Sequence, residues 1–150
     1  VIIGKPSEGG SSTDVIDELG LTDCVSWVHG VSDERIVELY SEAQIAVVPS
    51  LYEGFSLPAI EAMSCGVPLV TTTGGALPEV AGPHDETCFQ VPPGDSEALA
   101  SMIGKVLDSS ESRSRVGENG RQRVIENWSW HHTALRTVEQ YHSLLAESKG

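Results

Sequence analysis

The stretch Ile45-Ala46-Val47-Val48-Pro49, followed after a short loop by the helical pattern that Ser56 and Pro58 open, leaves few folds available to this chain. A short apolar run closed by a proline fits a buried strand, and Ser56 and Pro58 are residues of a helix start. Strand, tight loop and helix in that order form a unit of an open α/β sheet, in which the loop leaving the carboxyl end of a strand borders the ligand crevice. That loop carries Glu53 and Gly54, and the helix carries Glu61, eight positions further on. Glu53 is therefore expected to face a ligand. The amides from Phe55 to Ala59 are expected to point into the same space, and such a helix end attracts anions, phosphate above all.

The rest of the chain repeats the unit. Apolar runs predict strands at 1–4, 24–29, 45–49, 68–72 and 87–91, and periodicity predicts helices at about 12–19, 33–43, 57–65, 76–81, 96–108, 112–127 and 131–147. The rhythm describes an α/β, doubly wound, Rossmann-like parallel sheet flanked by helices, with right-handed crossovers. Asp95 or Ser96 is the expected N-cap of the helix carrying Leu99, Met102, Ile103, Val106 and Leu107, and Ser129 that of the last helix. Pro6 to Thr13, rich in Ser and Gly, reads as a mobile loop.

On the helix after residue 56, about 100° per residue places Leu57, Ile60 and Met63 on one apolar arc, with Ala59 and Ala62 opposite and Glu61 at the edge. From there Glu61 can point back to the crevice. A carboxylate accepts hydrogen bonds in pairs, which suits the vicinal hydroxyls of a sugar, and Gly54 lets the backbone approach a bound molecule. Taken singly, each glutamate has an ordinary reading too. Glu61 stabilises a first turn through the helix dipole, and Glu53 is a solvated loop residue.

The string Pro49-Ser50-Leu51-Tyr52-Glu53-Gly54-Phe55-Ser56-Leu57-Pro58-Ala59-Ile60-Glu61-Ala62-Met63-Ser64-Cys65-Gly66-Val67-Pro68 closely resembles the signature of the retaining, nucleotide-sugar-dependent glycosyltransferases of the GT-B fold, family four, also called group 1. Gly74-Gly75-Ala76-Leu77-Pro78-Glu79-Val80 resembles that family's glycine-rich loop, and Val91-Pro92-Pro93-Gly94-Asp95 extends the match. Trp130 and Tyr141 fall where its closing helices carry a tryptophan and a tyrosine. The resemblance covers nearly the whole chain and corresponds to the C-terminal half of such an enzyme. It implies that Glu53 is the candidate catalytic residue, holding hydroxyls of the transferred sugar. Glu61 would hold the ribose hydroxyls, and the amides of Gly54, Phe55, Ser56 and Leu57 the sugar and diphosphate. It further implies that His29, Gly30 and Val31 border the nucleotide base, largely through backbone groups, and that no metal or other cofactor is needed. No Asp-x-Asp motif occurs. Gly74 and Gly75 either border the sugar and phosphates or form a turn that needs positive φ. One departure is Cys88, where the family usually has glycine; a positive φ there would strain a cysteine and redirect the loop.

Length fits one nucleotide-sugar-binding domain. One hundred and fifty residues bury roughly 70% of the unfolded chain's surface, and a two-domain enzyme needs about twice that length. Since the chain opens directly on Val1-Ile2-Ile3-Gly4, an earlier strand and helix, and the domain that receives the acceptor, are expected to precede it. In the family the basic residues that neutralise the diphosphate lie in that preceding stretch. Twenty-two acidic against nine basic residues give a formal charge of −13, which argues against nucleic acid or an anionic membrane surface as a partner of this piece. The same charge opposes an anionic donor, so weak donor binding is expected of the 150 residues alone; since the acceptor would lie against the other domain, they are expected to transfer no sugar. Lys5 and Arg35 are the nearest cationic candidates.

Cys24, Cys65 and Cys88 form neither a disulfide framework nor a zinc motif. With no long apolar run, the expectation is a cytoplasmic protein whose membrane contact, where it has any, is made by the preceding domain. Trp130 is expected in the core with His131 and His132 solvated, and Glu79 caps the short helix after the glycine loop.

The function implied is donor binding within a retaining glycosyltransferase that moves a sugar from a nucleoside diphosphate sugar to an acceptor glycan, lipid or small molecule. The alternatives are a related GT-B enzyme, such as a nucleotide-sugar 2-epimerase, and a non-catalytic binding or interaction domain.

Overall fold

A computed structural model describes residues 1–6 and 11–147, the side chain of Ser11 excepted. Two compact units divide the chain, Val1–Glu38 and Leu39–Gly150. In the first, β1 (Ile2–Ile3) pairs in parallel with β2 (Trp27–Val28), Ile2 opposite Trp27 and Ile3 opposite Val28. Between them lie α1 (Ser11–Glu18) and a 3-10 turn at Thr22–Cys24. That turn takes up the start of the strand expected at residue 24, because Cys24 N–H bonds to the Leu21 carbonyl while the Thr22 hydroxyl bonds to Asp17. Residues 7–10 of the expected loop lie outside the described residues, and Ser11 to Thr13 are helical. The helix α2 (Asp33–Glu42) runs across the boundary between the units.

The second unit is built on β3 (Ala46–Val48), β4 (Leu69–Thr72) and β5 (Phe89–Val91), paired in parallel in that order. Every residue of β4 is buried. Successive side chains of a strand point to opposite faces, and Leu69 joins a cluster with Ala59, Ala62, Met63, Leu77 and Val80, while Val70 joins Phe89, Val106 and Val116. Helices therefore cover both faces: α3 (Leu57–Ser64) and α4 (Leu77–Ala81) on one, α5 (Ser96–Asp108) on the other. The long α6 (Ser110–Asn127) contributes to both clusters, with Val116 in one and Val124 in the other. The last helix, α7 (Trp130–Glu147), has no buried residue. Asp95 caps α5 through its Oδ1, which accepts from Ala98 N–H at 2.8 Å, and Ser129 Oγ accepts from His132 N–H at 3.3 Å.

Two expectations are corrected, and the condition posed at Cys88 is answered. The buried face of α3 is Ala59, Ala62 and Met63, whereas Leu57 is 62% exposed. Close approach of α6 selects the small side chains: a Cβ on Gly117 would stand 2.3 Å from the Gly66 carbonyl oxygen just after α3. Trp130 is 90% exposed, and the tryptophan that packs is Trp128, whose Nε1 donates to the Val80 carbonyl at 3.2 Å. Cys88 has no positive φ, is fully buried, and sends its thiol toward the Gly82 carbonyl at 3.4 Å. The left-handed residue of that loop is Asp85, φ 62°, whose N–H bonds to the Cys88 carbonyl at 2.8 Å.

All four arginines of α6 are engaged by backbone carbonyls. Arg113 donates to Val106 and Leu107 in the last turn of α5, Arg121 to Ser64 at the end of α3, and Arg123 to Glu79 and Val80 in α4; Arg115 bonds to Asp85. Carbonyls at a helix C-terminus lack intrahelical partners and carry partial negative charge, so a guanidinium is well matched to them.

Candidate functional site

The site is assembled at the carboxyl ends of β3 and β4. The loop after β3 is fixed by its neighbour rather than by its own turn. Glu53 and Gly75 form an isolated parallel bridge, and Ala76 N–H donates to the Glu53 carbonyl at 2.8 Å. Gly75 has φ +64°, and a Cβ on Gly74 would fall 2.4 Å from the Leu51 carbonyl oxygen. Both glycines are thus required by the backbone itself, one by conformation and both by close approach. The glycine loop serves as the clasp of the Glu53 loop, whatever it contacts besides.

The side chain of Glu53 is half-buried and accepts from the Ser50 hydroxyl at 2.7 Å on Oε1. Ser50 is in turn held by Thr72, the last residue of β4, whose Oγ1 donates to the Ser50 carbonyl at 2.5 Å. Neither Ser50 nor Thr72 was singled out by the sequence reading. Ser50, at the strand end three residues before the glutamate, carried the only local signal, since a hydroxyl at that spacing suits a turn bond.

Beyond Glu53 the chain enters α3 through a strained step. Ser56, its N-cap, has φ 81° and ψ 81°, makes no side-chain capping bond and is 4% exposed. A non-glycine residue in this region costs on the order of 1–2 kcal/mol. Of the residues that carry the expected amides, Pro58 has no N–H, Ser56 and Ala59 are buried residues, and Phe55 and Leu57, like Gly54 before them, are exposed ones. A Cβ on Gly54 would meet nothing within 4 Å, so the space beside it is open. Phe55 is anchored edge-on against Trp128, ring centroids 5.3 Å apart.

Glu61 lies one turn into α3 and is exposed. Its carboxylate acts on Tyr40 of α2, whose hydroxyl reaches the Pro58 carbonyl at 3.4 Å. Burial first, then the charges of Glu61 and Cys65, push the Tyr40 phenol up to about 12. Glu53, Gly54, Phe55, Ser56, Leu57, Gly74 and Gly75 are thus gathered on one loop pair, with Glu61 on the helix they lead into. His29, Gly30 and Val31 follow β2 in the first unit, all exposed, Gly30 with φ +64°. Lys5 is exposed in that unit too, and Arg35 pairs with Glu38 at 2.7 Å.

A concavity of about 170 Å³ at the carboxyl ends of the three strands is lined by Pro49, Thr72, Val91, Pro92 and Asp95. The larger depression, about 530 Å³, lies away from both glutamates between α6 and the loop before β5. Its Arg123, Thr87 and Asn119 are already bonded to backbone carbonyls, so it reads as a structural seam. Among the described residues no group of three or more His, Cys, Asp and Glu is arranged to hold a metal, and no helix is long and apolar enough to cross a membrane. Glu79 lies in the first turn of α4 with its side chain exposed, and the N-cap, Ala76, makes no side-chain bond.

Parallel strands flanked by helices, with Glu53 on the loop and Glu61 on the helix that follow one strand, define an α/β domain of GT-B type. The family model for glycosyl transferases group 1 matches residues 1–123, and the chain belongs to that family. It is 43% identical over 145 residues to an MMP alpha-(1->4)-mannosyltransferase of Mycolicibacterium hassiacum, covering 97% of this chain and 35% of the relative. It thus spans about a third of that relative's length. A sucrose-phosphate synthase from Thermosynechococcus elongatus superposes with a TM-score of 0.84 at 35% identity, covering 97% of this chain and 38% of that one. The HepE protein of Anabaena, solved in complex with UDP, shares the fold with a TM-score of 0.80 at 23% identity, over 87% of this chain and 35% of that one.

Proposed function

We propose that the protein containing this chain is a retaining glycosyltransferase, that this chain binds its nucleoside diphosphate sugar, and that the acceptor is a glycan, lipid or small molecule. The observation that carries the reading is the fixing of Glu53, by backbone to Gly75 and by side chain to Ser50, beside the exposed residues Gly54, Phe55 and Leu57. Glu53 accepts from hydroxyls of the transferred sugar, Glu61 from the ribose, and the amides receive the sugar and the diphosphate. As the glycosidic bond breaks, negative charge gathers on the leaving diphosphate, and fixed N–H dipoles stabilise it without reorganising. The reading assigns no metal and no covalent nucleophile. Relatives named as a mannosyltransferase and a UDP-bound protein support a nucleotide-sugar donor.

The four arginines of α6 are engaged elsewhere, and the sequence carries a formal charge of −13. That leaves few cationic groups of the second unit for a diphosphate. Because the acceptor would lie against a domain outside this chain, the chain alone is expected to transfer no sugar, and turnover by the purified chain would sink that part of the reading. The reading places the protein in the cytoplasm, which its three free cysteines support.

The test is a calorimetric titration of the full-length protein with a panel of nucleoside diphosphate sugars, repeated on Glu61→Ala. Saturable binding by one donor, weakened about tenfold or more without Glu61, is expected. Absence of binding by every donor returns the fold to a non-catalytic role.

A further inference from the structure

We infer that Ser50 is a positioning residue for Glu53, the outer member of a hydrogen-bond relay that begins inside the sheet. The inference rests on the donor site proposed above. Thr72, 2% exposed at the end of β4, donates through Oγ1 to the Ser50 carbonyl at 2.5 Å and accepts from Gly74 N–H at 3.3 Å. The Ser50 hydroxyl then donates to Glu53 Oε1 at 2.7 Å. By a second route the main chain of Glu53 is tied to the same strand's loop, through Gly75 and Ala76 N–H. Backbone and carboxylate are therefore both referenced to β4, the most deeply buried strand of the unit.

The consequence for chemistry is orientation. The terminal torsion of a glutamate is broad and unrestrained by its own rotamer preference. A donor on Oε1 fixes the plane of the carboxylate and leaves Oε2, with its two lone pairs, to receive ligand hydroxyls. A carboxylate ordered before the ligand arrives accepts those hydroxyls without losing further freedom on binding. Ser50 thus acts on the sugar end of the donor only, through Glu53, and has no part in holding the nucleotide. A serine and a glutamate three residues apart can also bond merely to staple a loop, and the two roles differ in what they do to binding.

The experiment is calorimetry on the full-length protein with UDP-glucose and GDP-mannose, and in parallel with UDP and GDP. Ser50→Ala is expected to weaken the bound nucleotide sugar about tenfold while the matching diphosphate stays within about twofold. In a Glu53→Ala background the same change is expected to have no further effect, because the relay has lost its target. Ser50→Cys, close in size and a weaker donor, should fall between wild type and alanine and guards against a folding defect in the alanine variant. Equal loss of nucleotide sugar and diphosphate makes Ser50 a loop staple and overturns the inference, as do additive effects of Ser50→Ala and Glu53→Ala. Wild-type binding that Ser50→Ala leaves untouched sinks this inference alone. Failure of the wild type to bind any of the four sinks the donor site with it.

Discussion

A Cβ placed on Gly75 would stand 2.2 Å from the carbonyl oxygen of Glu53 and 2.9 Å from its nitrogen. The two backbones meet with no room for a side chain, at a residue whose φ of +64° already favours glycine. Gly75→Ala must therefore displace the Glu53 loop or unwind the start of α4. The left-handed conformation alone costs about 1–2 kcal/mol, and the overlap adds to it. The expected outcome is a lower melting temperature together with donor affinity reduced at least about tenfold in the full-length protein. Normal donor binding by Gly75→Ala would show that the clasp does not govern the site.

Two helix glycines are expected to respond to alanine with opposite signs. Alanine is favoured over glycine in a helix by about 1 kcal/mol. Gly104, exposed on α5 with nothing within 4 Å of its added Cβ, collects that gain, so Gly104→Ala should stabilise by about 0.5–1 kcal/mol. At Gly117 the added Cβ lies 2.3 Å from the Gly66 carbonyl oxygen, a backbone atom that cannot swing aside. Overpacking costs typically about 1–3 kcal/mol and outweighs the helix gain, so Gly117→Ala should destabilise. Denaturant melts of both variants decide it; stabilisation at Gly117 would mean that α3 and α6 slide apart at little cost.

That close approach also marks where the sequence was legible and where it was not. Strands and helices fell within a few residues of their expected places because apolar runs and 3.6-residue periodicity are local properties. The face of α3 was misread because a helical wheel weighs Leu57 above Ala59, whereas the neighbouring helix selects for size. Trp128 was readable in retrospect: Val116, Gly120, Val124 and Trp128 recur every four residues on one ridge of α6, and the ridge passes Trp130 by. Glu53 and Glu61 stood out by their chemical string. The Ser50–Thr72 relay did not, since nothing in either residue's own neighbourhood reveals that the two strand ends meet. Cys88 escapes the positive φ that would have strained it, since the loop before β5 makes its left-handed turn at Asp85, three residues earlier.

Alkaline pH should weaken the fold by a traceable route. Burial pushes the Cys88 thiol up to about 11, against opposing help to the thiolate from Thr87, Arg123 and Gln90, and Tyr40 is raised to about 12. Both groups prefer the neutral form in the folded state, so their contribution is intact below the unfolded values of about 9 and 10 and is lost as pH rises toward the folded ones. Stability should hold near neutrality and fall between about pH 9 and 12, with a shallower fall in Tyr40→Phe. Below that range, at pH 8, Cys24, exposed, should react with a thiol reagent in the native state, and Cys88 only on unfolding. Rapid native labelling of Cys88 would contradict its burial.

The Val80 carbonyl receives two donors, Arg123 Nε at 3.0 Å and Trp128 Nε1 at 3.2 Å, and the Trp128 ring forms a T-shaped pair with Phe55 of the site loop. Stability and binding can therefore be separated at one residue. Trp128→Phe removes the indole donor while leaving an aromatic ring, and with Arg123 still bonded to Val80 its cost should be about 1 kcal/mol, with little change in donor affinity. Trp128→Ala removes the ring itself. For a half-buried tryptophan the packing loss should be about 2–3 kcal/mol, below that of a core site, and Phe55 loses an edge-to-face partner worth about 0.5–1.5 kcal/mol. With Phe55 released, the amides on either side of it are no longer held in place, so donor affinity should fall in the alanine variant and not in the phenylalanine one. Chemical denaturation and donor titration of the two variants, run on full-length protein, test the separation; equal donor affinity in both would show that Phe55 keeps its place without Trp128.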